Sequence, residues 1–347
     1  LTARPRNAWC SAASAMTKEF TAMAQQVYND FSAFQLLTGK KPLLVCGSAF
    51  DRASVSLPCE YVRFSGFTSN PDYEDVQAGA AVLLKNKCDF IVAFGGGSCI
   101  DTAKGIKHLS HADIPLMAVP TTSGTGSEAT RFAIIYRGGE KQSITDPALL
   151  PDIVVLQSGT LKTLPLYQKK CTMLDALCQA IESWWSNSAT PESVQYSREA
   201  IKRILDHIES YLQNKDEGNQ HMLAASNLAG KAINITTTTA PHAMCYKLTS
   251  LYGLPHGHAV ALCLPKVWRH MKGFGCIAKA LGRQDCEEAV SFLERLLQEL
   301  DILPPENAQA ADLDVLTSSV NPQRLQNNPV WLTQDTIYVL YQEILGL

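Results

Sequence analysis

An α/β region built on a doubly wound parallel sheet, followed by an all-α region, is the fold class this sequence predicts. Short apolar runs alternate with helical patterns over the first half, a triple-glycine turn joins one such run to a helix, and beyond about Gly159 only long helical patterns remain. With 347 residues and 46% apolar composition the chain can bury a sizeable core. The expected bounds are 1–16 for a tail or extension, 17–158 for the sheet domain and 159–347 for the helical one.

Taken in order, Phe20, Met23, Val27, Phe31 and Phe34 recur at helical spacing and predict an amphipathic helix from Thr17 to about Leu37. The run from Pro42 to Cys46 reads as the first central strand, ending at Gly47. A short strand at Tyr61 to Phe64, a turn at Ser69-Asn70-Pro71 and a helix through Val76, Val82 and Leu84 follow. CDFIVAF is a buried strand, the helix after the glycines starts near Ile100 to Asp101 and runs to about His108, and PLMAV is the next strand. Two β-prone runs around Gly138-Gly139 predict a hairpin, and DPALLPDIVVL leads to a last strand. Expected helices then cover Cys171 to Trp185, Val194 to Tyr211, Met222 to Asn234, Glu287 to Leu300 and Asp335 to Leu345.

Composition excludes several function classes. A formal charge of −3 with both signs interspersed supplies no electrostatic case for nucleic acid or an anionic membrane. No apolar run approaches the roughly 18 to 20 residues a membrane helix needs. Eleven scattered cysteines without a CxxC pair read as reduced thiols, which points to the cytoplasm. The opening LTARPRNAWCSAASAM is too short in its apolar run and too rich in serine for a signal peptide.

Two loops carry the first chemical signal. Gly95-Gly96-Gly97-Ser98 sits between a strand and a helix, where backbone amides at the helix start can face a phosphate; it is not GxGxxG, and a tight turn is the usual explanation of a lone glycine triplet. Thr121, Thr122, Ser123 and Thr125 follow the next strand with small hydroxyl side chains, suited to lining a cofactor. Downstream, Asp175 and Gln179 are four apart on a helix, and His242 and His256 follow. A carboxylate, two imidazoles and an amide oxygen form a plausible shell for a divalent metal with one position open.

These residues resemble the iron-containing, or group III, alcohol dehydrogenases. GGGSCIDTAKG, PTTSGTGSEAT, DPALLPDIVV, DALCQAIES, LPHGHAV and NPQRLQNNP occur in that family's order, and the similarity runs from about residue 20 to the C-terminus. The resemblance implies a Rossmann-like dinucleotide-binding domain, an all-helical domain and a metal in the cleft between them. It places Asp175, His242 and His256 at metal-ligand positions, and Gln179 where a histidine is usual. That departure leaves the metal open among iron, zinc, nickel, cobalt and manganese. A second departure is Tyr246, where many relatives have a histidine. Gln179 together with NITTTTAPHAMCYKLTSLYGLPHGHAVAL looks like the branch that reduces phosphonoacetaldehyde to 2-hydroxyethylphosphonate.

The expected cofactors are NADPH or NADH and a divalent metal, Fe2+ or Zn2+ first. Gly95, Gly96, Gly97, Ser98 and Asp101 and the second loop are expected to bind the nucleotide; Gly47, where the family often has Asp, would not repel a 2′-phosphate and favours NADPH. The metal would polarise an aldehyde carbonyl, the nicotinamide would supply hydride, and Tyr246 or His258 would relay the proton. A phosphonate would need cationic donors, for which Lys247 leads, followed by Arg131, Arg269 and Arg324. A homodimer is left open. Alternatives are an alcohol, polyol or glycerol-phosphate dehydrogenase of the same superfamily, or a non-catalytic nucleotide-binding relative.

Overall fold

The protein is described from a computed structural model, over residues 25–347. Its first half is a six-stranded parallel sheet flanked on both faces. In chain order the elements are β1 (Gln26–Tyr28), β2 (Pro42–Cys46), α1 (Ser48–Arg52), β3 (Val62–Phe64), α2 (Tyr73–Lys85), β4 (Phe90–Gly95), α3 (Gly97–Ser110) and β5 (Leu116–Pro120). A separate antiparallel hairpin, β6 (Phe132–Arg137) and β7 (Glu140–Thr145), precedes β8 (Ile153–Val155). The sheet order is β1-β8-β5-β4-β2-β3, which sets the ends of β2, β4 and β5 side by side.

The central strands read as unbroken apolar runs because both faces are covered. Leu43, Val45, Ile91 and Ala93 pack with Val76, Leu83, Ile100 and Ile106, while Leu44, Val92 and Phe94 pack with Phe34, Leu37 and Phe50 on the opposite face.

The amphipathic helix expected over 17–37 is corrected where it is described; residues 17–24, with Phe20 and Met23, lie outside the described residues. Val27 stands in β1, opposite Val154 of β8, and a 3-10 helix covers Phe31–Leu37. Asp30 starts that turn by accepting a hydrogen bond from the Ser32 amide at 2.8 Å. Phe31 and Phe34, three apart, stack at 5.0 Å between ring centroids, so one periodic pattern served a strand and a tight turn. A smaller difference concerns α3, which begins inside the glycine run, at Gly97, and not near Ile100.

The second half is helical: α4 (Leu166–Trp185), α5 (Pro191–Leu212), α6 (Asp216–Thr236), α7 (Ala240–Tyr252), α8 (His256–Met271), α9 (Gly275–Ala280), α10 (Cys286–Glu299), α11 (Asp312–Ser319), α12 (Pro322–Leu325) and α13 (Gln334–Leu345). Buried faces of α4 and α8 run through its core, where Leu174, Leu177 and Ile181 join Ala261, Leu264 and Trp268. The helix α7 was not among those expected. It ends at Gly253, in the left-handed region at φ 68°, and Pro255 leads directly into α8. Among the described residues no helix is long and apolar enough to cross a membrane.

Candidate active site

Three helix segments meet at one point. Asp175 and Gln179 lie one turn apart on α4, His242 is in the first turn of α7, and His256 is the first residue of α8. Gly257 permits the meeting: a Cβ there would stand 1.9 Å from the Cys171 carbonyl oxygen and 3.1 Å from the Asp175 Cβ. Only a bare backbone lets α8 press so closely on α4, and that contact sets His256 against Asp175. The ligand atoms of Asp175, His242 and His256 all lie within 4.8 Å of one another. The Asp175 Oδ1 is 3.3 Å from His242 Nε2 and 3.8 Å from His256 Nε2.

The electrostatics suit a cation. Burial works to raise the Asp175 carboxyl, but His256 and His242 outweigh it and leave it below its ordinary value. Burial pushes His256 down to about 4, so its ring is neutral with a lone pair to offer. His242 feels burial in the same direction, but Glu182 and Asp175 more than reverse it. Glu182 is fully buried and accepts the His242 Nδ1–H at 2.5 Å, so that once a bound cation displaces the Nε2 proton, the Nε2 lone pair faces the cluster. The Gln179 amide nitrogen donates to Asp175 Oδ1 at 3.3 Å, while its buried Oε1 has no hydrogen-bond partner. An orphaned buried amide oxygen costs about 1 to 3 kcal/mol. A carboxylate and two imidazoles whose ligand atoms lie within 4.8 Å of one another fit a divalent metal, and the Gln179 oxygen would join them only with its amide turned over.

The glycine turn lies beside this cluster. Gly96 caps α3 without a side chain, leaving first-turn amides free to face a phosphate. A Cβ at Gly96 would meet Thr122 at 3.1 Å and one at Gly97 would meet Thr125 at 2.7 Å, so the two loops are in contact. Gln179 donates to the Thr125 carbonyl at 3.4 Å, one hydrogen bond from the cation cluster to the second loop. The other expected nucleotide contacts are engaged in holding the loops. The Asp101 carboxylate accepts from Ser127 Oγ at 2.5 Å and from the Ile134 amide at 3.0 Å. Ser123 is buried against Tyr211 Oη at 2.7 Å, Ser98 donates to the Ser69 carbonyl, and the Thr121 amide donates to the Gly95 carbonyl at 3.0 Å. Gly47 sits at the end of β2 with nothing within 4 Å of a Cβ built there.

The expected proton carriers separate. Tyr246 lies with its ring 5.7 Å from that of His256, 13° from parallel, and its hydroxyl accepts from Arg324 Nη1 at 3.0 Å. His258 is turned away from the cluster: its Nε2 donates to the Leu303 carbonyl and its Nδ1 accepts from Tyr167 Oη, both at 2.8 Å, so neither nitrogen is free to relay a proton. Among the expected anion contacts, Arg131 stands over the Phe132 ring and Arg269 is clasped by Glu287 and Glu294. Lys247 follows Tyr246 on α7 and makes no ion pair among the described residues.

Models of known families match both halves: the iron-containing alcohol dehydrogenase model over residues 24–158 and the C-terminal Fe-containing alcohol dehydrogenase model over 170–345. The chain is 30% identical over 312 residues to alcohol dehydrogenase 4 of Schizosaccharomyces pombe, covering 80% of this chain and 74% of the relative. The chain belongs to the iron-containing alcohol dehydrogenase family. It is 31% identical over 224 residues, 57% of each chain, to phosphonoacetaldehyde reductase of Streptomyces viridochromogenes. In fold it matches the sulfoacetaldehyde reductase of Bifidobacterium kashiwanohense in complex with NAD+, with a TM-score of 0.88 and 24% identity, over 96% of this chain and all of that one. As a member of this family the protein is an oxidoreductase of alcohols and aldehydes that works with a nicotinamide nucleotide and iron or another divalent metal.

Within this iron-containing alcohol dehydrogenase, sequence reading missed three site residues. Glu182 shared a readable signal, since Asp175, Gln179 and Glu182 fall on one helical face. Lys104, fully buried in α3, donates to the carbonyls of Ser127, Thr130 and Phe132 at 2.6 to 2.7 Å and pins the second loop. Lys141, which sequence alone places only on the hairpin, lies on β7 and brings its Nζ to 3.4 Å from the Tyr246 ring centroid.

Proposed function

We propose that this enzyme reduces a small aldehyde to a primary alcohol at the Asp175, His242 and His256 cluster, with phosphonoacetaldehyde as substrate and 2-hydroxyethylphosphonate as product. The observation that carries the reading is the convergence of three ligand atoms, which Gln179 ties through its amide nitrogen to the loop that packs on the glycine turn. When bound, the divalent ion polarises a carbonyl oxygen and the nicotinamide supplies a hydride. Asp175, His242 and His256 would hold the ion, and Gln179 would complete or orient that set. Tyr246 accepts from Arg324, so its own hydroxyl hydrogen is free to be donated to a developing alkoxide; burial raises that phenol well above its ordinary value and keeps the proton on oxygen.

The choice of aldehyde is supported by the glutamine at the second ligand position and by the similarity to a phosphonoacetaldehyde reductase. The absence of an acidic side chain at Gly47 supports NADPH. Among the described residues the buried cysteines Cys46, Cys99, Cys178 and Cys263 are free thiols, which supports a reducing compartment such as the cytoplasm. NADPH consumption with phosphonoacetaldehyde, glyceraldehyde, glycerone phosphate and propanal, using protein loaded separately with Fe2+ and Zn2+, tests the proposal. A higher kcat/KM for glycerone phosphate or glyceraldehyde would assign the enzyme to a different substrate class. A metal-loaded protein that binds NADPH and turns over nothing would make it a binding module.

A further inference from the structure

Two cations far apart in the chain reach one aromatic ring at the edge of the metal cluster. Lys141, on β7 of the sheet half, sets its Nζ 3.4 Å from the Tyr246 ring centroid. Arg324, on α12, brings its guanidinium carbon to 4.9 Å from that centroid and donates to the hydroxyl at 3.0 Å. The same ring lies 5.7 Å from that of His256. Among the described residues neither cation has a carboxylate within ion-pair distance, whereas Arg63 is paired with Asp51, Lys162 with Asp216 and Arg269 with Glu287 and Glu294. Two like charges drawn together in a partly desolvated place repel, and burial with the nearby Arg324 pushes the Lys141 ammonium down to about 8. An anion bound between them would reverse that cost.

We propose that Lys141 and Arg324 form a seat for a tetrahedral oxyanion, so that the substrate is a two-carbon aldehyde bearing a phosphonate or sulfonate group. The proposal rests on the aldehyde-reductase reading of the site and adds to it the residues that select the substrate, displacing Lys247 and Arg131 from that role. From carbonyl oxygen to phosphorus or sulfur such a molecule spans roughly 4 Å by ordinary bond lengths. That length fits an aldehyde at His256 with its anion beside Tyr246. Arg324 offers a planar fork and Lys141 a mobile point charge, which together match an oxyanion with three equivalent oxygens.

The test uses the metal-loaded full chain and the variants Lys141→Met, Arg324→Met and Lys141→Arg. The measured quantity is the ratio of kcat/KM for phosphonoacetaldehyde, and separately for sulfoacetaldehyde, to that for propanal. Any loss that Arg324→Met causes through Tyr246 affects both substrates and cancels in the ratio. Each Met variant is expected to lower the ratio by roughly 10- to 100-fold, the worth of a charge-assisted hydrogen bond, and Lys141→Arg to keep most of it. Calorimetric binding of 2-hydroxyethylphosphonate and of 2-hydroxyethanesulfonate is expected to weaken in parallel, and their relative affinities tell which anion the seat prefers. A wild-type enzyme that reduces propanal as well as either anionic aldehyde overturns the seat and leaves the reductase reading intact. Met variants with unchanged ratios and unchanged binding overturn it as well. If no aldehyde is turned over, the reductase reading fails, and the binding comparison still decides the seat.

Discussion

Replacing Glu182 by Gln is a sharp test of how the metal cluster is prepared. Glu182 Oε2 accepts from the Thr239 amide at 2.8 Å and from Thr239 Oγ1 at 2.9 Å, while Oε1 takes the Nδ1–H of His242. In the variant the remaining oxygen stays with the Thr239 amide, which would otherwise be a buried donor without a partner, and the new NH2 group faces His242 Nδ1. That nitrogen must then accept, so the ring proton moves to Nε2, the atom 3.3 Å from Asp175 that has to offer a lone pair. Restoring the ligating tautomer would set two N–H donors against each other in a fully buried place. The expected loss is about 10- to 100-fold in metal affinity, roughly 1.4 to 2.7 kcal/mol. Competition for Zn2+ against a chromogenic chelator measures it, with circular dichroism of the metal-free variant as a check on folding. A folded Glu182→Gln protein that holds zinc within threefold of the parent would refute the tautomer reasoning.

Four further outcomes are expected. Gly257→Ala drives a methyl group into the Cys171 carbonyl, so the denaturation midpoint should fall by the equivalent of about 1 to 3 kcal/mol and bound metal should drop; full metal content would show that α8 can shift without parting His256 from Asp175. Lys104→Met leaves three buried carbonyls without their shared donor and should cost at least about 3 kcal/mol in urea unfolding, and a change under about 1 kcal/mol would mean that water replaces the ammonium. Lys141 loses its charge as pH rises through about 8, so kcat/KM for phosphonoacetaldehyde should fall above that pH while propanal does not follow; parallel profiles would take Lys141 out of substrate binding. Gly47→Asp places a carboxylate in open space at the end of β2 and should lower the NADPH to NADH ratio of kcat/KM by about tenfold or more, and an unchanged ratio would locate the 2′-phosphate elsewhere.

How much of the site could be read from sequence depends on which contacts are local. The central strands were legible because a parallel sheet covered on both faces writes itself as unbroken apolar runs, and Asp175 and Gln179 were legible because helical spacing alone puts them on one face. The first helix was misread because apolar residues three and four apart suit a helix, and equally a strand edge followed by a 3-10 turn once Asp30 caps between them. Lys247 and Lys141 show the limit most plainly. Lys247 neighbours Tyr246 in sequence, yet successive residues on a helix point about 100° apart, so adjacency argues against a shared partner. Lys141 is separated from Tyr246 in chain order by β8 and the helices α4, α5 and α6, and only the packing of the hairpin against α7 brings its ammonium to that ring. A contact between the two halves depends on how their elements pack and not on spacing within either one. Residues fixed by a single helix are therefore the readable ones, and a contact such as that of Lys141 with Tyr246 emerges only when the halves are docked.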